Sequence, residues 1–123
     1  MENNTAFVEC FRGAAPYIHA HTRKTFVLQV GGDVVASTGF SHLIHDLALL
    51  NSLAIKLVIV FGARPQIDSI LKERNITPEY CGALRVTDEA SISSVTQAVG
   101  EVKIKIEALL SMGLPNSPMA DSA

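Results

Sequence analysis

The sequence predicts an α/β fold built on a parallel sheet, and three observations support this prediction. Two short runs, residues 25–30 and 56–61, are apolar at nearly every position, which is typical of parallel strands that helices cover on both faces. A helical pattern lies between them, and a strand–helix–strand order of this length requires a parallel, right-handed crossover. Each strand ends at glycine, the first at Gly31 and Gly32 and the second at Gly62.

The N-terminal segment, residues 1–22, is predicted to be helical. Apolar side chains recur at helical spacing between Phe7 and Ile18. Pro16 interrupts them, and because proline disturbs a helix interior, we expect two short helices in this segment.

Residues 23–111 are predicted to form a βαβα core with a small hairpin. Leucines at 43, 47 and 50 give the helix between the strands one apolar stripe, which packs on the sheet. The next helix starts near Pro65, whose fixed φ suits the first turn, and stops at Asn75. Turn residues then separate two brief segments, 79–81 and 84–86, that could pair as a hairpin.

The last predicted helix is the longest, and it starts at the pair Asp88 and Glu89. Its apolar stripe is expected to consist of Ile92, Val95, Val99, Val102, Ile106 and Leu109. Residues 112–123, rich in Pro, Ser, Asn and Gly, are predicted to be a loop tail. Because two buried strands need neighbours on both edges, we expect a fragment, a truncated product or an obligate oligomer.

Composition excludes several classes of function. The 123 residues suffice for one domain or part of one, and a formal charge of −2 gives no basic field for nucleic acid. Cys10 and Cys81 form neither a CxxC pair nor a dense framework, so reduced thiols are expected. No signal segment or membrane span is recognisable, which favours the cytoplasm. The four histidines and the aspartates show no metal-ligand spacing, so no metal site is predicted.

The two glycine-bearing strand ends are the candidate ligand site. In open α/β sheets, ligands lie beyond the carboxyl ends of parallel strands, where glycine lets backbone N–H groups approach an anion. Candidate ligand-binding residues are therefore Gly31, Gly32, Gly62, Ala63 and Arg64. The alternative is that the glycines only permit tight turns, and that Arg64 forms a structural ion pair.

Several strings together resemble the amino-acid kinase family, which has a three-layer, carbamate-kinase-like fold. They are the run 62–67 (GARPQI), the strand ending VGG at 30–32, and RVTD at 85–88. More narrowly, they resemble the kinase-like N-terminal domain of bacterial N-acetylglutamate synthases, also called amino-acid acetyltransferases. The resemblance extends over nearly all the chain, which would correspond to the N-terminal part of that domain.

The resemblance implies an intact enzyme that transfers acetyl from acetyl-CoA to the amino group of L-glutamate, the first step of arginine biosynthesis. The acetyltransferase domain of such enzymes is a separate C-terminal unit that is absent here, so no catalytic residue and no bound cofactor are expected in this chain. The kinase-like domain would bind L-arginine as inhibitor and build a homo-oligomer through its N-terminal helix. Phe11 and Tyr17 are candidates for that effector and assembly surface, and Arg85 could bind a carboxylate or merely hold a loop.

Departures from the family argue against phosphotransfer. Kinases of this fold place a lysine on the first strand, whereas this sequence has Gln29. Ala63 and Arg64 stand where the kinases keep a glycine-rich turn. The chain alone is therefore predicted to be inactive, both as an acetyltransferase and as a kinase. Two alternatives remain: a stand-alone amino-acid-binding or partner subunit, or a truncated remnant without activity.

Overall fold

The computed structural model describes residues 2–112, with side chains described from residue 4 onward. The elements, in chain order, are α1 (Glu2–His21), β1 (Thr25–Val30), α2 (Gly32–Val35), α3 (Phe40–Ser52), β2 (Lys56–Phe61), α4 (Arg64–Glu73), β3 (Glu79–Cys81), β4 (Leu84–Val86) and α5 (Glu89–Ser111). The predicted loop tail lies outside the described residues, apart from Met112.

Strands β1 and β2 form a parallel pair, in register from Thr25 opposite Lys56 to Val30 opposite Phe61. This confirms the predicted parallel βαβ unit. The core lies on one face of the pair, where alternate residues of both strands meet α3 and α5. Its buried members are Val30, Val35, Phe40, Ile44, Leu47, Ala63, Val102 and Ile106.

The other face of the sheet is bare, so the prediction that both strands are buried on both faces is wrong within the described residues. Val27 is 69% exposed, and Val58 and Val60 on the neighbouring strand are exposed as well. The helices α3 and α5 both pack on the core face, and residues of β1 and β2 alternate between half-buried and exposed. A continuous apolar run therefore does not predict which face of the sheet this chain covers.

Helix α1 is continuous, so the prediction of two short helices divided at Pro16 is also wrong. Proline removes one backbone donor and crowds the preceding turn, at a cost of about 3 kcal/mol. Ala14 and Ala15, which precede it, have the highest helix propensity of any residue type. The helix runs through Pro16 and ends at His21.

The second half of α5 buries the predicted stripe, but the first half does not. Ile92 and Val99 are exposed, whereas Ser91, Ser94 and Ala98 are buried. Helix α5 packs against α4, and in this half Arg74, just after α4, donates to Ser94 Oγ at 2.9 Å. Small side chains at a helix–helix contact allow the two backbones to approach closely, and this approach places the larger apolar residues outside.

The segment after α4 follows the prediction closely. Asn75 has φ of 56°, the left-handed conformation expected at a helix end. Strands β3 and β4 pair antiparallel, with Tyr80 opposite Arg85, and Gly82 in the turn between them has φ of +64°. Among the described residues, no helix is long and apolar enough to cross a membrane.

Candidate functional site

The two glycine-bearing turns meet at the carboxyl end of the parallel strands. The N–H of Gly62 donates to the carbonyl oxygen of Val30 at 2.9 Å, which joins the end of β2 to the end of β1. In the first turn of α4, Gln66 Nε2 donates to the carbonyl oxygen of Gly32 at 2.8 Å. These two bonds hold both turns together as one edge of the sheet.

Gly32 is the residue where the two turns pack most tightly. A methyl group there would lie 2.7 Å from Gln66 Oε1, 2.8 Å from Pro65 Cδ and 3.0 Å from the carbonyl oxygen of Gly62. A methyl group at Gly62 would lie 3.4 Å from the Gly32 nitrogen, an ordinary contact. Gly32 is buried, whereas Gly31 and Gly62 are exposed.

The surroundings of these turns do not favour a phosphate group. Helix α2 is only four residues long, so its dipole is small. Helix α4 begins with Arg64 and Pro65, and proline contributes no N–H to an anion site. A groove of ≈ 370 Å³ beside Gln66 is bordered by the carboxylates of Glu73 and Glu101, which repel anions.

Arg64 and Arg85 both bind within the hairpin region rather than at the glycine turns. Arg64 Nη2 donates to the carbonyl oxygen of Ala83 at 3.0 Å. Arg85 Nη2 forms an ion pair with Asp68 Oδ1 on α4. The ring of Tyr80 lies near both guanidinium groups, at 5.1 Å from Arg85 and 6.0 Å from Arg64. The two arginines thus fasten the hairpin to α4.

Two residues of this region escaped the sequence analysis. Gln66 joins the glycine turns, and Asp68 receives both Arg85 and, at 3.4 Å, the Tyr80 hydroxyl. Their partners lie between 12 and 34 residues away in the sequence, so no local pattern marks them. Within the described residues, Gln66 Oε1 and Arg85 Nη1 are buried without a hydrogen-bond partner.

The effector and assembly candidates lie on α1, away from the glycine turns. Phe11 and Tyr17 are 60% and 71% exposed, and so is most of the helix around them. The end of α1 is tied to the core by the Thr22 hydroxyl, which donates to the carbonyl oxygen of Leu53 at 3.0 Å. The structure therefore does not bring these two residues together with the ligand-binding candidates.

Comparison with known proteins agrees with this fold. The model of the amino acid kinase family matches residues 24–122, which is most of the chain. Among solved structures, N-acetylglutamate synthase from Neisseria gonorrhoeae in complex with coenzyme A and L-arginine superposes with a TM-score of 0.77 at 36% identity, covering 93% of this chain and 27% of that one. The same enzyme with coenzyme A and N-acetyl-glutamate gives a TM-score of 0.74 at 38% identity, over 85% of this chain and 24% of the other.

Curated relatives of this chain are named amino-acid acetyltransferases. The amino-acid acetyltransferase of Edwardsiella ictaluri is 47% identical over 119 residues, 97% of this chain and 27% of the relative. That of Photobacterium profundum is 45% identical over 117 residues, 95% of this chain and 26% of the relative. The chain thus spans about a quarter of the length of these relatives. These matches confirm the resemblance that the sequence strings indicated.

Proposed function

Because the chain belongs to the amino acid kinase family, we propose that it is a regulatory and assembly part of a cytoplasmic N-acetylglutamate synthase, without catalytic residues of its own. The intact enzyme would transfer the acetyl group of acetyl-CoA to the amino nitrogen of L-glutamate, releasing coenzyme A and a proton, as the first step of arginine biosynthesis. The observation that carries the proposal is the identity of 45–49% to amino-acid acetyltransferases over nearly the whole chain.

The residues at the strand ends support a role other than phosphotransfer. Gln29 is uncharged and exposed, so it cannot neutralise a transferring phosphoryl group as the family's lysine does. Side chains at Ala63 and Arg64 occupy the turn that kinases keep open with glycine. The carboxylates of Glu73 and Glu101 in the adjacent groove would repel a phosphate, whereas they would attract the ammonium group of an amino acid.

The ligand that we propose for this edge is an amino acid or an acylated amino acid. The exposed turns at Gly31 and Gly62, with Gly32, Ala63 and Arg64, would contribute backbone N–H groups and the wall of the site. At the hairpin, rather than at these turns, Arg85 would bind the carboxylate of such a ligand, because a planar guanidinium matches a carboxylate with two parallel hydrogen bonds. The similar solved structures of N-acetylglutamate synthase contain L-arginine in one case and N-acetyl-glutamate in the other, which supports this class of ligand.

Assembly is the role proposed for α1. Phe7, Phe11 and Tyr17 are large, apolar and exposed on a helix that projects most of its surface to solvent. Exposed apolar surface of this kind marks interaction sites in stable proteins. Homo-oligomer formation through α1, with L-arginine as an inhibitor of the assembled enzyme, completes the proposal.

An acetyl-transfer assay with two proteins tests this function. The first is the 123-residue chain alone with acetyl-CoA and L-glutamate; release of the coenzyme A thiol should not exceed the rate without protein. The second is a chimera in which this chain replaces the matching 119 residues of the Edwardsiella ictaluri enzyme, which should retain acetyl transfer.

Each protein has a result that overturns a different part of the proposal. Acetyl transfer by the chain alone would show that it is catalytic. A folded, assembled but inactive chimera would show that the chain does not serve an acetyltransferase. Saturable ATP hydrolysis that is lost on Gly32→Ala, while fold is retained, would instead assign a kinase-like activity.

A further inference from the structure

The guanidinium of Arg85 is enclosed between the hairpin and α4. Its side chain is only 11% exposed, and its Nη2 is paired with the carboxylate of Asp68. Its Nη1 is buried and, within the described residues, has no acceptor. A guanidinium can donate two parallel hydrogen bonds to one carboxylate. Here Asp68 accepts from only one of the two terminal nitrogens of Arg85. Arg85 is therefore paired, yet not fully satisfied.

The hairpin that carries Arg85 is held to α4 by a few polar contacts. Arg64 reaches the carbonyl oxygen of Ala83, and the Tyr80 hydroxyl shares the Asp68 carboxylate with Arg85. Residues 79–84 and Val86 are exposed, so the hairpin buries little apolar surface against α4. A three-residue pair of strands is marginal by itself, so these contacts fix its position. Separating the hairpin from α4 would cost mainly the contacts to Asp68 and Ala83.

We propose that Asp68 is an internal competitor for the carboxylate ligand of Arg85, and that ligand binding releases the hairpin from α4. The ligand is a small molecule with a free carboxylate. Its two oxygens replace Asp68 on the guanidinium and also satisfy Nη1, while Asp68, which is 44% exposed, turns to water. This inference rests on the proposed ligand role of Arg85.

Competition makes a prediction that a structural role for Asp68 does not make. If Asp68 only positioned Arg85, its loss would weaken both the hairpin and ligand binding. As a competitor, its loss frees the hairpin and tightens binding. An ion pair of this exposure is worth about 1 kcal/mol, so affinity should rise about fivefold in Asp68→Asn.

The test measures ligand affinity and hairpin release in the same proteins. N-acetyl-L-glutamate is titrated by calorimetry into the wild-type chain, Asp68→Asn and the control Asp46→Asn, which removes the same charge from an exposed position on α3. Chymotrypsin cleavage after Tyr80, mapped by mass spectrometry, reports release of the hairpin. Asp68→Asn should bind about fivefold tighter and be cleaved faster there, whereas Asp46→Asn should match the wild type in both. Saturating N-acetyl-L-glutamate should accelerate this cleavage in the wild type.

The outcomes separate this inference from the function on which it rests. Binding to the wild type that is unchanged or weaker in Asp68→Asn overturns the competition. Absence of binding in both proteins overturns the ligand role of Arg85 and the competition with it. Asp68→Ser repeats the comparison with a smaller side chain, and it must tighten binding in the same direction.

Discussion

Gly32 is the residue at which the two strand-to-helix turns come closest. Its role is steric rather than conformational, because the atoms around it leave no room for a Cβ. Backbone and ring atoms form most of that contact, and the amide of Gln66, which could otherwise rotate away, is bonded to the carbonyl of Gly32 itself. The candidate site therefore depends on a glycine chosen for close packing.

Replacing Gly32 by alanine should destabilise the fold by about 1–3 kcal/mol, the usual cost of an extra carbon in a packed site. The matched control is Gly39→Ala, because a methyl group at Gly39 meets nothing within 4 Å. Gly39 has φ of −84°, which alanine adopts freely. Urea unfolding followed by circular dichroism measures both. Equal free energies of unfolding for the two variants would show that the turns can separate without cost.

At the scale of elements, α5 begins at a reciprocal cap. Asp88 Oδ1 accepts from the Ser91 hydroxyl at 2.8 Å and from the Ser91 N–H at 2.9 Å, and the Asp88 N–H donates back to Ser91 Oγ at 3.1 Å. The hydroxyl bond and then the backbone bond hold the pKa of Asp88 below its ordinary value of 3.8. Hydrogen bonds to the charged form thus link the start of α5 to pH.

Acid should weaken this cap. Because the pKa of Asp88 is lower in the folded chain than in the unfolded chain, its ionised form adds stability above about pH 4, and this stability is lost as pH falls through the lowered folded pKa. Asp88→Asn retains an acceptor but does not titrate, so its urea midpoint should fall less steeply on the acid side. Glu89→Gln, next in sequence but outside the cap bonds, should keep the wild-type profile. An unchanged acid slope in Asp88→Asn would contradict this explanation.

The elements themselves were largely predictable from sequence, because their signals are local. The bounds of β1 and β2 follow from two apolar runs ending at glycine. The stop after α4 at Asn75 and the start of α5 at Asp88 follow from the conformations that those side chains favour. The buried face of α5 was not predictable in its first half. There the close contact with α4 selects serine and alanine over Ile92, and no periodicity within α5 contains that information.

The candidate site shows the same difference between features that local sequence predicts and features that depend on long-range contacts. Parallel strand order alone places Gly31 and Gly62 at one edge of the sheet, so their meeting could be predicted. The partners of Arg64 and Arg85 could not, because they depend on how a short hairpin docks on α4. Long-range docking of a small element is decided by a few side-chain contacts, which one sequence does not display.

At the scale of the whole molecule, two apolar surfaces are exposed among residues 4–112. One is the outer face of the sheet with Val27, Val58 and Val60, and the other is the helix α1. Parallel sheets are covered on both faces in nearly all known proteins. In the relatives, about three quarters of the length lies outside the part that matches this chain. Further sequence of that kind would be a source of cover for the sheet face. Helix α1, which carries the large exposed aromatic side chains, is therefore the surface whose role in assembly we test on this chain.

Self-association should depend on the aromatic residues of α1. The double variant Phe7→Asn with Phe11→Asn removes two exposed rings one turn apart, and burial of each ring contributes about 1.5–3 kcal/mol when it is complete. Sedimentation velocity over a range of concentrations should show oligomers of the wild type. The double variant should self-associate with an affinity at least about tenfold weaker. Leu84→Asn, at a side chain that is 76% exposed on the hairpin, is the control and should assemble as the wild type does. A monomeric wild type, or equal assembly of the wild type and the double variant, would exclude α1 as the assembly surface. The outer face of the sheet would then be the remaining candidate.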